Sequence, residues 1–358
     1  MAMAYLKYLD LSLPKLNSEP NHWADHIEFF CFISQEGKIS EAQITDRLLD
    51  ENSNNPLVAV EDVAEEDEIN ELIGALSSTE YLIEDEVIDE TNDNSAFRDK
   101  ISSKINSYFN LLKARQLNFG DDYPFLVSNN DITLKENLTT SQTLYAILLC
   151  SSLLRLATKS GLNKLGHHFE ELCGPAFKKL TPNDTQNIFF GSGSGENFLP
   201  SITGKFYDKV IELCNLLNVT PRTNFTEENA GIHNVGDGGL DWVGVFNFPD
   251  NQFSQPTFFG QCACGTDWIS KEFDAHSSKW NKYIQFENGY LTYHFVPRHL
   301  RDESLNWYNP LDIYDVVLID RYRLINLLKS EANLPNLITT TYKTFLKEID
   351  LNKIDSFM

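Results

Sequence analysis

The stretch Gly236-Asp-Gly-Gly-Leu-Asp-Trp-Val-Gly-Val-Phe246, followed after a polar turn by Phe258-Phe-Gly-Gln-Cys-Ala-Cys264, constrains this chain more than any other. Two apolar runs of strand length joined by a polar turn predict a β-hairpin. The glycines ahead of Asp241 allow a tight turn and close approach by other groups, so Asp241 falls at the start of the first strand and Gln261 on the second. Paired strands can bring a carboxylate and an amide oxygen to one hard cation. Hydrolysis of a phosphodiester needs such a set: oxygen ligands, an activated water and neutralised charge. Alternation along the second strand sets Cys262 and Cys264 opposite Gln261 and Ala263, toward packed helices. The six cysteines are scattered, which suits reduced core thiols, and His276, His294 and His299 stand at no zinc-site spacing.

The segments around the hairpin predict an α/β unit in the order helix, strand, hairpin, strand, helix, strand, helix. Residues 207–217 form an amphipathic helix with Val210, Cys214 and Leu217 on one stripe. Leu291-Thr-Tyr-His-Phe-Val-Pro297 reads as a further strand, and residues 316–328 as a strand running into a helix. Gly265-Thr-Asp267 can end the hairpin and cap a short helix carrying Trp268 and Lys271.

Gly236-Asp-Gly-Gly-Leu-Asp241 with Gln261 resembles the Mrr-type branch of the restriction-endonuclease-like, PD-(D/E)xK nucleases, and the resemblance covers about residues 200–330. It implies a mixed central sheet flanked by helices, Mg²⁺ (or Mn²⁺) as cofactor, DNA as substrate and a role in defence against foreign DNA. By the same resemblance Asp241 and Gln261 would hold the metal, the Cys262 carbonyl would be a third oxygen, and Asp208 would be the first-helix acid. One position departs from the motif: the slot of the catalytic lysine holds Ala263. Lys271 can either reach back to replace it or simply be solvated on its helix. Without a replacement, the alternative is a nuclease-fold subunit that binds nucleic acid or a partner without cutting.

Net charge sets a further condition. At −23 the chain opposes simple binding to a polyanion. Residues 61–93 hold 14 Asp or Glu and no Lys or Arg, and residues 200–330 hold 16 acids against 11 bases. Arg298, Arg301, Arg321 and Arg323 are the expected phosphate contacts. DNA binding by an acidic chain also predicts a protein partner or a homo-oligomer. The acidic stretch is either a solvated face or a docking surface for a basic partner.

Upstream, helices are expected over residues 21–34, 40–50, 97–114 and 141–159, with a capping box at Ser40–Gln43. The first two fit part of a helical bundle or a helix-turn-helix. A further helix carrying His167 and His168 is expected to stop before Gly174-Pro175, and Gly191-Ser-Gly-Ser-Gly195 reads as a joint. The expected divisions are an acidic, mainly helical region 1–130, a helical region 131–195, the nuclease core 196–335 and a helix 336–358. No apolar run reaches the length of a membrane span and no signal peptide opens the chain, so the expected compartment is the cytoplasm.

Overall fold

The computed structural model describes residues 13–15, 18–53, 90–153, 162–191, 200–250, 252–265 and 267–338. The acidic residues 61–89, the joint at 192–195 and the expected last helix beyond 338 lie outside them. The architecture is mixed α/β, with a mixed five-stranded sheet flanked by helices.

Helix α1 (Pro20–Ile33) is the centre of the amino-terminal half. Its start is set by Pro20 at the first helical turn, where a missing N–H costs nothing. Trp23, Ile27, Phe30 and Cys31 are buried as their spacing predicts. After it come β1 (Lys38–Ser40), α2 (Glu41–Ser53), α3 (Glu90–Phe119), β2 (Phe125–Val127) and β3 (Asp131–Leu134). The expected capping box is present: the Ser40 N–H donates to Gln43 Oε1 at 2.8 Å, and the Gln43 N–H donates to Ser40 Oγ at 3.2 Å. Between α1 and α2, however, the chain forms β1, which pairs antiparallel with β3. That strand favours the packing alternative over a helix-turn-helix.

Helix α4 (Thr140–Ser152) opens with a Thr139/Gln142 capping box and is buried along most of its length. Helix α5 (Leu162–Leu180) runs through Gly174 and Pro175, where a stop was expected. The reason is tertiary. A Cβ at Gly174 would lie 2.6 Å from the ring of Trp242, so the glycine admits a tryptophan and does not end the helix.

Strand β4 (Gln186–Phe189) is followed by α6 (Phe206–Leu217), β5 (Thr220–Pro221) and α7 (Glu227–Ala230). Then come the hairpin β6 (Trp242–Val245) and β7 (Thr257–Cys262), two one-turn helices α8 (Trp268–Lys271) and α9 (Ser277–Trp280), β8 (Ile284–Gln285), β9 (Leu291–Phe295), β10 (Val317–Ile319) and α10 (Arg321–Leu328). The large sheet has the order β10-β9-β7-β6-β4; β4, β6 and β7 are antiparallel neighbours, and β7, β9 and β10 are parallel. Because β4 pairs with β6 from Gln186 to Phe189, the sheet begins upstream of the boundary expected at 196.

Glycines organise one face. Gly244 and Gly260 leave room for the ring of Phe177, and Trp242 and Cys262 share this face with helix α5. The alternate residues Val243, Val245 and Phe259 pack on the other side against Val210, Leu213 and Cys214 of α6.

The two halves of the chain are fastened by a buried ion cluster. Arg115 of α3 donates to Asp25 at 2.7 Å and lies 3.0 Å from Glu28. Arg321, at the start of α10, donates to both oxygens of Asp25 at 3.0 and 2.8 Å. Tyr123 and Tyr145 donate to Glu28 at 2.7 and 2.9 Å. Burial alone would raise the Asp25 carboxyl, but Arg321 and Arg115 outweigh it and hold the group well below the ordinary carboxylate range.

Candidate active site

The turn that delivers Asp241 is built from its own sequence. Asp237 Oδ1 accepts the N–H of Gly239 at 2.7 Å, and Gly238 and Gly239 take φ of +66° and +80°. A Cβ at Gly239 would lie 2.5 Å from Asp274, and one at Gly238 would lie 2.9 Å from Phe206. Past this turn the Asp241 backbone is clamped from both sides, donating to Gly260 O at 2.9 Å and accepting from Phe190 and Gly191 at 2.8 and 3.3 Å. Its side chain is buried, with Oδ2 accepting the Cys262 N–H at 2.7 Å.

Gln261 lies on the next strand. The register ends at Trp242↔Gly260, and Asp241 is held by the residues on either side of Gln261: its N–H donates to Gly260 O at 2.9 Å and its Oδ2 accepts the Cys262 N–H at 2.7 Å. The Gln261 amide is 5% exposed; its Nε2 donates to the Cys262 carbonyl at 3.2 Å, while Oε1 has no hydrogen-bond partner. On the following strand His294 pairs in register with Gln261. Its Nε2 donates to Trp268 O at 3.0 Å and its buried Nδ1 has no partner. Burial pulls this imidazole down to about 4, helped by the charge of Lys271 against the bond to Trp268, so it is neutral at pH 7 with a free lone pair.

Negative charge gathers around Asp241. Burial, then Glu170, then Asp237 push its carboxyl well above the ordinary range, and the Cys262 N–H only partly opposes them. Glu170 stands on α5, where its carbonyl accepts the indole N–H of Trp242 at 2.9 Å. Burial, with Asp237 and Glu171, pushes its carboxyl up to about 8, against the pull of Lys271. Asp237 thus raises both carboxyls, and the half-buried Glu170 carboxylate also pairs with His167 at 3.1 Å.

Each residue expected at the site has a definite place. The backbone on either side of Gln261, Gly260 and Cys262, holds Asp241. Lys271, on α8, is 3.5 Å from Asp267 and close enough to Glu170 to draw on its carboxyl. Ala263 is buried among Trp268, Val296, Leu300 and Leu318, an apolar setting in which a charged side chain would lose its hydration. The Cys262 carbonyl is engaged by the Gln261 amide, so it orients that amide. Asp208 is exposed on α6, and the expectation of a helical acid there is corrected: the acid beside Asp241 is Glu170 of α5. Its signal was in the sequence, since Glu170 precedes Cys173, Gly174 and Phe177 at helical spacing on the stripe that faces the sheet.

Of the four expected phosphate contacts, Arg321 and Arg301 are corrected. Arg321 is wholly buried in the ion cluster. Arg301 is buried against Asp320 at 2.9 Å and stacks on Trp307 at 3.4 Å. Arg323 donates to Leu318 O at 2.7 Å and Arg298 to Ser152 O at 3.3 Å. Arg321 and Arg301 are consumed by carboxylates inside the fold, while Arg298 and Arg323 are half-buried and each donates to a backbone carbonyl.

The cysteines are free thiols, all but Cys264 of them buried, and Cys173 and Cys262 meet between α5 and β7. Among the described residues no three His, Cys, Asp or Glu side chains close on one point as a metal site by themselves. None of the described helices is long and apolar enough to cross a membrane. The chain matches no protein-family model, no curated protein and no solved structure.

Proposed function

We propose that the protein is a divalent-metal-dependent nuclease that hydrolyses DNA phosphodiester bonds at the Asp241 end of its large sheet. One observation carries the reading: a buried carboxylate under like-charge pressure is hydrogen-bonded to the residue next to a buried amide oxygen that no hydrogen bond satisfies. Hard oxygen donors with surplus negative charge suit Mg²⁺ or Mn²⁺. Asp241 and Gln261 would hold the ion, with Glu170 as a third oxygen donor. When bound, the ion would supply Lewis-acid activation of water and neutralise phosphate charge. The Cys262 N–H fixes the Asp241 carboxylate and the Cys262 carbonyl fixes the Gln261 amide, so both ligands are oriented in advance. Lys271 adds a positive charge on the Glu170 side.

The mixed sheet flanked by helices supports the resemblance to restriction-endonuclease-like nucleases, and with it a role in defence against phage or plasmid DNA. The acidity of the chain supports a protein partner or a homo-oligomer as part of the DNA-bound form. One observation favours a second reading: with Ala263 sealed in an apolar cluster, the chain would be a non-cutting subunit that binds nucleic acid or a partner protein.

A nicking assay on supercoiled plasmid with Mg²⁺ or Mn²⁺ separates the two. Asp241→Ala should lower the rate by about a hundred-fold or more, and Lys271→Ala by roughly ten- to a hundred-fold. Cleavage that survives Asp241→Ala would remove the nuclease reading at this site, and an intact chain that binds DNA without cutting would favour the second.

A further inference from the structure

Lys209 is one of the most deeply buried cations of the described chain, and the reading above does not use it. Helix α6 turns its neighbour Asp208 to solvent and Lys209 inward, where it is 2% exposed. Its Nζ makes one long hydrogen bond, to Gly191 O at 3.5 Å, and lies 4.8 Å from the centre of the Phe190 ring. That carbonyl belongs to the residue touching Asp241: the Gly191 N–H donates to Asp241 O at 3.3 Å, and a Cβ at Gly191 would lie 3.2 Å from Asp241 Oδ1. An ammonium removed from water costs several kcal/mol unless carboxylates compensate it. One carbonyl bond does not: burial lowers the Lys209 ammonium's hold on its proton, and the acids whose charge opposes this are Asp237 and Asp241.

We propose that Lys209 is the resident counter-ion of the Asp241 site, a tethered ammonium that competes with a divalent cation for the same carboxylates. The inference rests on the cation-site reading above and adds a regulation to it. A free metal ion meets a site already part-neutralised and binds weakly. A second anion, such as a phosphate group, would draw the ammonium away from the carboxylates and admit the metal. Gln261 Oε1, which has no hydrogen-bond partner, stays open for the incoming ion.

Mn²⁺ titration calorimetry on the full chain tests this without reference to cleavage. Lys209→Met should tighten Mn²⁺ binding roughly ten-fold, by removing a positive charge from beside the ligands. Asp241→Asn should abolish the heat in both backgrounds. Should Lys209→Met fail to fold, Lys209→Gln serves, with the same direction expected. Binding that depends on Asp241 but is unchanged or weakened in the Lys209 variants overturns the counter-ion while leaving the cation site standing. Binding indifferent to Asp241→Asn, or absent from every form, overturns both.

Discussion

Glu170→Gln is the perturbation whose consequence can be worked furthest from the structure. The Glu170 carboxyl rises from the ordinary 4.5 to about 8, chiefly through burial and the charge of Asp237. A raised value means that the folded chain keeps a proton the unfolded chain has lost. The stabilisation is therefore full below about pH 4.5 and disappears as pH climbs through about 8. At about 1.4 kcal/mol per tenfold change in proton affinity, the fold is roughly 3 kcal/mol less stable at pH 7 than at pH 4.5 on this account alone. Glutamine keeps the shape and removes the charge. The variant should gain about 3 kcal/mol at pH 7 and about 4 kcal/mol at pH 8, and lose most of the slope between pH 5 and 8.5, read as urea midpoints. Thermal midpoints should rise by roughly 5–10 °C at pH 8. Millimolar Mn²⁺ should recover much of the same stability in the wild type at pH 8, because an ion bound only by the folded state adds its binding free energy to the fold. A wild-type stability that is flat from pH 5 to 8.5, or a Gln variant less stable at pH 8, would refute the charged cluster.

Three further outcomes follow from the packing. Arg321→Met removes one cation from the buried cluster and leaves Asp25 and Glu28 short of a partner, so urea unfolding should show a loss of about 3–5 kcal/mol; a loss under 1 kcal/mol would mean that Arg115 alone suffices. Gly174→Ala drives a methyl group into Trp242 and should cost about 1–3 kcal/mol by the same measurement, with an unchanged midpoint contradicting the close approach. Gln261→Met exchanges a buried, half-satisfied amide for an apolar side chain of similar length. It should raise stability by about 1 kcal/mol while abolishing Mn²⁺ binding, and retention of full Mn²⁺ affinity would exclude Gln261 as a ligand.

What the chain reveals before folding depends on how local its causes are. The Asp241 turn is legible because its glycines, its Asx bond and its strand lie within a dozen residues. The Ser40 capping box is legible for the same reason. Helix α5 was cut short at Gly174 because the ring that needs that glycine belongs to Trp242, far along the chain. Glu170 is half legible: its helical spacing with Cys173, Gly174 and Phe177 places it on the sheet-facing stripe, while the burial and the Asp237 charge that raise its carboxyl come from distant segments. Arg321 and Arg301 show the opposite error. A basic residue after a strand reads as a surface charge, yet Arg321 is consumed by Asp25 and Glu28, nearly 300 positions away. Lys209 hides in an amphipathic pattern that would accept it on either edge of the helix.

The central claim is that Asp241 and Gln261 share one cation. Anomalous scattering from crystals grown with Mn²⁺ tests it directly. The account predicts a single strong peak about 2.2 Å from a carboxylate oxygen of Asp241 and from Gln261 Oε1. A peak bound elsewhere, or none at this position with the amide oxygen hydrogen-bonded to water, would contradict it.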